Sequence, residues 1–178
     1  MILEEFHKSL MNCTKCALCM SRTQVVPGAG NVNANIMFIG EAPGKSEDEQ
    51  GIPFVGAAGK FLNEMLEGIG LKREDIFIAN TVKCRPPNNR DPEQIEIETC
   101  LPYLKTQISI VQPKIIVTLG RFSLNLFFPE EKIGTAHGKI LHKNTLKVLA
   151  LYHPAAALYN GGMRETLVKD FQTLKKFI

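Results

Sequence analysis

The chain has 178 residues, enough for one domain of ordinary size and too few for two well-packed ones. Hydrophobic residues make up 44% and charged residues 22%, which argues against a disordered chain, and the net charge of +3 is too small to predict a polyanionic partner by itself. No apolar run approaches the ~18 residues that span a bilayer. We expect no secretory signal, because the N-terminus has neither a basic region nor a long apolar stretch. We therefore expect a single domain over residues 1–178, cytoplasmic, monomeric and without membrane contact.

Helices and strands alternate along the chain. In chain order, the hydrophobic pattern predicts a helix over 2–12, a strand over 36–40, a helix over 57–69 that ends at Gly70, a strand over 76–80, a helix that begins at Asp91-Pro92 and is broken or kinked at Pro102, a strand over 115–120, a helix over 121–128, a hairpin-like region through Ile140 and Leu141, a strand over 148–152 and a last helix over 163–177. Such alternation predicts an α/β fold, with a parallel sheet covered by helices on both faces.

Polar residues lie at the carboxyl ends of three of the four predicted strands. Glu41 comes directly after the first strand, Asn80 ends the second, and His153 follows the fourth. Because the carboxyl ends of parallel strands meet at one edge, these side chains are expected to share a cleft. Taken singly, each has an ordinary alternative: a solvated turn residue, a loop cap and a core histidine.

Five cysteines without an export signal favour metal binding or buried thiols over disulfides. Cys13, Cys16 and Cys19 form a C-x2-C-x2-C run, and Cys84 and Cys100 lie far along the chain. Thiolates suit either zinc or an iron–sulfur cluster, and their chemistry does not choose between the two. The spacing of Cys84 and Cys100 is wrong for a zinc ribbon, and the alternative is that both are small buried hydrophobic residues.

Several motifs together resemble those of the family 4 uracil-DNA glycosylases, the thermostable iron–sulfur branch. The motifs are Gly40-Glu41-Ala42-Pro43-Gly44 with Glu47-Asp48, Gly51-Ile52-Pro53-Phe54-Val55-Gly56, Asn80-Thr81-Val82-Lys83-Cys84-Arg85-Pro86-Pro87 and His153-Pro154. The resemblance implies a three-layer sandwich around a four-stranded parallel sheet. It also implies an enzyme that flips uracil out of single- or double-stranded DNA and hydrolyses its N-glycosidic bond. Two departures are His137-Gly138, where the family often has Arg-Gly, and Ala155, where it often has serine.

The resemblance also assigns roles to residues. A [4Fe-4S] cluster is implied on Cys13, Cys16, Cys84 and Cys100, with Cys19 left over. Phe54 would stack on the flipped base, Asn80 would read uracil O4 and N3–H, and Glu47 would crowd the methyl group of thymine. His153 would donate to the developing charge at O2, assisted by backbone N–H groups around Gly40, Glu41 and Ala42, while Glu41 would orient water or stabilise the sugar cation.

DNA contacts are expected from basic residues around the cleft. Lys83, Arg85 and Arg90 cluster beside Asn80, and Arg164 lies on the last predicted helix. Leu158 is a candidate wedge for the space left by the flipped base. No lysine is evidently placed for Schiff-base chemistry, which predicts a monofunctional glycosylase. The two alternatives are a silent iron–sulfur DNA-binding module and a nucleotide-binding oxidoreductase, which would need the G-x-G-x-x-G turn that is missing here.

Overall fold

A computed structural model describes residues 2–178, and its centre is a mixed sheet. The sheet has six strands in the order β1-β3-β2-β4-β6-β5, namely β1 (Ala29–Gly30), β2 (Ile36–Gly40), β3 (Phe77–Asn80), β4 (Ile115–Leu119), β5 (Ile140–Lys143) and β6 (Leu146–Leu151). The four predicted strands are confirmed as the parallel centre. The expected count of four is too low, because β1 and β5 add antiparallel edges. The sequence did not mark these two strands, because β1 has only two residues and β5 is half exposed. Neither contains the continuous apolar run that identified the four central strands.

Helices cover both faces of this sheet, as predicted. They are α1 (Leu3–Leu10), α2 (Lys45–Gln50), α3 (Ala57–Glu67), α4 (Gln94–Val111), α5 (Arg121–Phe127), α6 (Ile133–Ala136) and α7 (Gly161–Phe171). On β2, Phe38 packs in one core with Leu62 of α3 and Phe171 of α7. Its neighbour Met37 packs in a second core with Leu104 of α4, because successive side chains of a strand point to opposite faces. No helix within the described residues has both the length and the apolar character needed to cross a membrane.

Helix α4 differs from its predicted form at two points. The N-cap is Glu93 rather than Asp91, and the carboxylate of Glu96 accepts a hydrogen bond from the Glu93 N–H at 2.8 Å, which closes a capping box. Of the break or kink predicted at Pro102, the break does not occur, because the helix continues through Pro102 to Val111. A proline inside a helix removes one backbone hydrogen bond and so destabilises the helix locally. The packing of Leu104 and Val111 against the sheet stabilises the helix by more than this loss.

Strand register aligns the carboxyl ends of the parallel strands. Gly40 of β2 lies opposite Asn80 of β3, and Leu119 of β4 lies opposite Leu151 of β6. All four strands therefore end at nearly the same level. The segments that follow them are brought to one edge of the sheet, where the polar residues of the sequence motifs collect.

Candidate active site

A pocket of about 310 Å³ opens at this edge, and we call it the edge pocket. Its lining residues come from four segments of the chain, and they are Glu41, Ala42, Pro43, Gly44, Glu47, Phe54, Ala58, Asn80, Pro86, Asn89, Arg90, His153 and Ala155. The structure thus brings Glu41, Asn80 and His153 into one cavity. The volume is at the lower end of the range for small-molecule pockets, which suits a ligand the size of one base.

Asn80 carries a polar atom without a partner. The residue is only 2% exposed, and its Oδ1 is buried without a hydrogen bond among the described residues. A buried unpaired acceptor is costly, so this atom is matched to a ligand that donates a hydrogen. Gly40 makes room for it, since a Cβ at that position would lie 2.4 Å from Oδ1 and 2.7 Å from the Phe54 ring.

Phe54 forms one wall of the edge pocket and is also part of the core. Its ring is only 6% exposed and stacks on His153, with ring centroids 5.6 Å apart and planes inclined by 29°. The backbone of Phe54 is in the left-handed region, with φ of 53°, and a side chain from another segment stabilises it. Arg73 donates to the carbonyl oxygens of Pro53 and Phe54. Gly59 is required beneath the loop, because a Cβ would lie 1.8 Å from the Phe54 carbonyl oxygen.

His153 is oriented by the turn that follows it. Its Nδ1 accepts a hydrogen bond from the backbone N–H of Ala155 at 3.1 Å, so the proton of the neutral ring resides on Nε2. Burial lowers the pKa of His153 to about 4, and the charge of Glu47 acts weakly in the other direction. The imidazole is therefore neutral at pH 7. Its one free polar function is the Nε2–H donor.

Glu47 lines the edge pocket, but most of its bonding capacity is used by backbone. Its Oε1 accepts from the N–H groups of Val55 and Gly56, both at 2.9 Å, and its Oε2 accepts from the N–H of Gly44 at 3.1 Å. These bonds join α2 to the loop that carries Phe54. Glu47 therefore fixes the loop that forms this wall of the edge pocket. The role predicted from the sequence, crowding the methyl group of thymine, is a separate one.

Glu41 faces the edge pocket in a partly desolvated setting. Burial raises the pKa of its carboxyl group, and the nearby Asp91 acts in the same direction while Arg121 opposes both. Asp91 and Arg121 form an ion pair with each other, which weakens their separate influence. The backbone of Glu41 is tied to the β3 side, where the N–H of Val82 donates to its carbonyl oxygen at 3.1 Å.

The predicted DNA contact of Lys83 is wrong. The residue is only 2% exposed, and its Nζ donates to the carbonyl oxygen of Asn80 at 2.8 Å and to Oε1 of Gln107 at 2.7 Å. An ammonium held in this way does not reach a phosphate on the surface. Burial lowers the pKa of Lys83 to about 8, with the neighbouring Cys100 and Cys84 acting in the opposite direction. Hydrophilic composition of the loop suggested an exposed lysine, whereas the side chain turns inward.

The other predicted DNA contacts lie at or near the surface, and only one lines the edge pocket. Arg90 does so, and it binds both carboxylate oxygens of the buried Glu96, whose pKa it lowers. Arg85 is held by Asn89, which is itself a lining residue. Arg164 lies away from the pocket, where it pairs with Glu64 and packs over the Phe61 ring. Leu158 is partly exposed beyond the His153 turn.

All five cysteines line a second, apolar hollow, which we call the cysteine hollow. It is formed by Leu10, Cys13, Lys15, Cys16, Leu18, Cys19, Arg22, Val25, Lys83, Cys84, Thr99, Cys100 and Tyr103. Arg22 donates to the sulfur of Cys84 at 3.3 Å, and the hydroxyl of Tyr103 lies 3.4 Å from the sulfur of Cys13. Burial raises the pKa of the Cys84 thiol to about 11. Within residues 2–178, no three His, Cys, Asp or Glu side chains converge closely enough to hold a single metal ion.

Comparison with known sequences agrees with this architecture. The sequence profile of the uracil DNA glycosylase superfamily matches residues 27–176, which include both the sheet and the edge pocket. The chain belongs to this superfamily.

The relatives narrow the assignment. Similar proteins are the type-4 uracil-DNA glycosylases of Saccharolobus solfataricus (52% identical, over 92% of this chain and 81% of the relative), of Sulfurisphaera tokodaii (49%, over 98% and 84%) and of Archaeoglobus fulgidus (48%, over 97% and 91%). Within the superfamily, the chain groups with the type-4 proteins. The family resemblance predicted from the motifs is thereby confirmed.

Three supporting residues were missed by the sequence analysis. Arg73 holds the Phe54 loop, Gln107 pairs with Lys83, and buried Asp48 accepts from the N–H groups of Thr23 and Gln24. Arg73 and Gln107 lie outside the recognised motifs, so no local pattern marked them. Asp48 lies within one of the motifs, but no role was assigned to it.

Proposed function

We propose that this chain is a monofunctional uracil-DNA glycosylase that releases uracil and leaves an abasic site in base-excision repair. The observation that carries the proposal is the shared pocket, which is lined both by Asn80, whose buried Oδ1 has no partner among the described residues, and by His153, whose Nε2–H is free to donate. The chain is proposed to act as a monomer. A base enters such a pocket only after the nucleotide has left the stack.

Asn80 is proposed to select uracil. The unpaired Oδ1 accepts the N3–H of uracil, and the amide nitrogen then donates to O4. Cytosine presents an unprotonated N3 and an amino group, so it would leave Oδ1 facing a lone pair. Phe54, stacked on His153, supplies the apolar face for the base. Glu47 lies beside it, where thymine carries an additional methyl group.

His153 and Glu41 are proposed to serve the bond cleavage. The electron pair of the C1′–N1 bond goes to uracil, water adds its oxygen to C1′, and the uracil anion finally takes up a proton equivalent to the one that the water loses. Neutral His153 donates Nε2–H to uracil O2 as negative charge develops there, with the backbone around Gly40, Glu41 and Ala42 assisting. Glu41 opposes the positive charge on the sugar or orients the water, and its pocket position supports both roles.

Arg85, Arg90, Arg164 and Leu158 are proposed to hold the DNA. Arg85 and Arg90 stand next to the edge pocket, where the phosphates flanking a flipped nucleotide would pass. Leu158 lies partly exposed beyond the His153 turn and is proposed to fill the gap in the stack. These contacts carry no sequence information, so uracil would be accepted in any flanking sequence. Both single- and double-stranded DNA are proposed as substrates.

The cysteine hollow is proposed to hold a [4Fe-4S] cluster on Cys13, Cys16, Cys84 and Cys100. A zinc ion requires four ligands that converge on one point, whereas the four thiolates of a cluster bind four separate irons. The dispersed thiols therefore suit the cluster better. When bound, the cluster links the loop after α1 to the loop after β3 and to α4. Arg22 and Tyr103 are placed to donate to its sulfur ligands.

The activity is tested with the purified chain and a labelled oligonucleotide that contains one uracil. We expect alkali-labile breaks at that position and none in the matched oligonucleotide that contains thymine. Breaks without alkali treatment would contradict a monofunctional enzyme. If neither the single-stranded nor the double-stranded oligonucleotide is broken, and circular dichroism shows that the protein is folded, the activity is excluded.

The cluster is tested separately by colour and iron content. Cys100→Ser is expected to remove broad visible absorption and lower the midpoint of thermal unfolding. Cys19→Ser is the matched control and should keep both. Zinc in place of iron and sulfide, after anaerobic purification, would overturn the cluster assignment.

A further inference from the structure

Lys83 is the one lysine in the interior of the described chain, and it has two protein partners. Its ammonium group donates to the backbone carbonyl of Asn80 and to the side-chain oxygen of Gln107. Hydrogen bonds from a charged donor are about twice as strong as neutral ones, and more so in a buried setting. The carbonyl at the end of β3 is therefore held firmly by a side chain from the loop that follows it.

Gln107 is fixed in turn, so the contact does not depend on Lys83 alone. Its Nε2 donates to the carbonyl oxygen of Pro27 at 2.6 Å and lies 3.0 Å from Nε2 of His7. With its Oε1 given to Lys83, the buried amide has partners at both ends. A chain of polar groups thus runs from α1 through α4 and Lys83 to the strand end. None of the side chains of His7, Gln107 and Lys83 lines the edge pocket itself.

The residue whose carbonyl oxygen Lys83 holds also carries the side-chain amide that is proposed to read uracil. The side chain of Asn80 points into the edge pocket, while its carbonyl oxygen is held from behind by Lys83. The Asn80 side chain has no hydrogen bond through Oδ1 to hold it, so its position depends on the backbone to which it is attached. A small displacement of the Asn80 backbone would move the amide relative to a bound base.

We propose that Lys83 is a positioning residue for base recognition, acting through the carbonyl oxygen of Asn80 and supported by Gln107. The inference rests on the proposed function, since it assumes that Asn80 reads uracil. Lys83 touches neither the base nor the reacting atoms. Its removal should therefore weaken what Asn80 does, and should matter little once the Asn80 amide is gone.

A double-mutant cycle tests this dependence. Lys83→Met keeps the length of the side chain and removes the donor, and Asn80→Ala removes the amide. We expect Lys83→Met to slow single-turnover release of uracil by about tenfold to a hundredfold, which corresponds to losing a charge-assisted hydrogen bond. In the Asn80→Ala background, the same change should cost less than about twofold. Affinity for a duplex with a non-cleavable 2′-fluoro uracil nucleotide should follow the same pattern.

Two further proteins complete the test. Lys114→Met removes the same charge from the exposed opposite end of the sheet and should leave both readouts unchanged. Gln107→Met removes the supporting contact together with the hydrogen bond to Pro27 and the contact with His7, should cost several-fold, and replaces Lys83→Met in the cycle if that variant does not fold. Equal losses in both Asn80 backgrounds, or wild-type behaviour of folded Lys83→Met, would overturn the inference. A wild-type protein that releases no uracil would instead refute the proposed function itself.

Discussion

The edge pocket and the cysteine hollow are built in opposite ways. In the edge pocket, the register of four parallel strands sets the positions of the polar groups, with Gly40 opposite Asn80 and Leu119 opposite Leu151. In the cysteine hollow, irregular segments carry the functional groups, and only Cys100 lies on a long helix. Backbone hydrogen bonds can position an amide and an imidazole before any ligand arrives. Thiols on loops have little such support, and bonds to a shared group would have to supply it.

Lys83 lies between these two regions. It lines the cysteine hollow and at the same time holds the carbonyl of the strand that ends in the edge pocket. The two regions are therefore neighbours in the interior, although they open separately. Lys83 precedes Cys84 in the chain and donates to the carbonyl oxygen of Asn80, so a substitution in the Cys84 loop can change the position of Asn80. Substitutions in either region can therefore test how the two regions depend on each other.

The largest effect is expected from His153→Ala. The change removes the Nε2–H donor and the ring stacked on Phe54, so single-turnover release of uracil should slow at least about a hundredfold, or roughly 2.7–4 kcal/mol of barrier. Binding of a non-cleavable uracil duplex should be largely retained. The control is His142→Ala on the exposed edge strand β5, and a near-wild-type rate for His153→Ala would refute the assignment.

Acid should destabilise the fold through the buried His153 of the edge pocket. Burial lowers the pKa of His153 to about 4, below the ordinary value of 6.5, so below pH 6.5 the unfolded chain binds a proton that the folded chain does not. The free energy of unfolding should therefore fall between pH 6.5 and about 4, by as much as about 3 kcal/mol from this group.

His7 has the same tendency, because burial and the charge of Lys83 lower its pKa to about 4 as well. The measurement is urea unfolding at pH 7 and 4.5 for the wild type, His153→Gln and His7→Gln. Each substitution should flatten the pH dependence, and exposed His142→Gln should not. Identical slopes in all four proteins would contradict the assignment of neutral buried rings.

A smaller effect is expected from Glu47→Ala, which releases the wall of the edge pocket. Three backbone N–H groups lose their acceptor, at a cost of about 1–3 kcal/mol, and release of uracil should slow about tenfold. Hydrogen exchange of the Val55 and Gly56 amides should accelerate, whereas Glu49→Ala, an exposed residue of the same helix, should change neither property. New activity on thymine would show that Glu47 also excludes the methyl group.

The smallest effect is expected from Arg164→Ala, because Arg164 lines neither the edge pocket nor the cysteine hollow. Its ion pair with Glu64 is exposed, so the free energy of unfolding should change by less than about 1 kcal/mol. Affinity for DNA should fall a few-fold, and the salt dependence of binding should decrease by about one counterion. Lys114→Ala, at the opposite end of the sheet, should leave this salt dependence unchanged.

Much of the fold and of the site was predictable from the sequence. Continuous apolar runs marked the four central strands, and the residues after them marked Glu41, Asn80 and His153, because parallel strands deliver their ends to one edge. The edge strands were not predictable, since β1 is two residues long and β5 is only half buried. The N-cap at Glu93 depends on the return bond from Glu96, and that bond competes with a local preference for Asp91.

The sequence by itself determined the class of protein, the parallel sheet and the residue types at the strand ends, because these follow from local hydrophobicity and from motifs. Only the tertiary structure decided where each long side chain goes. Lys83 turns inward to Asn80 and Gln107, and Glu47 turns onto three backbone N–H groups, although both lie in polar stretches. A flexible charged side chain follows the strongest partner within reach, and that partner is set by packing between distant segments.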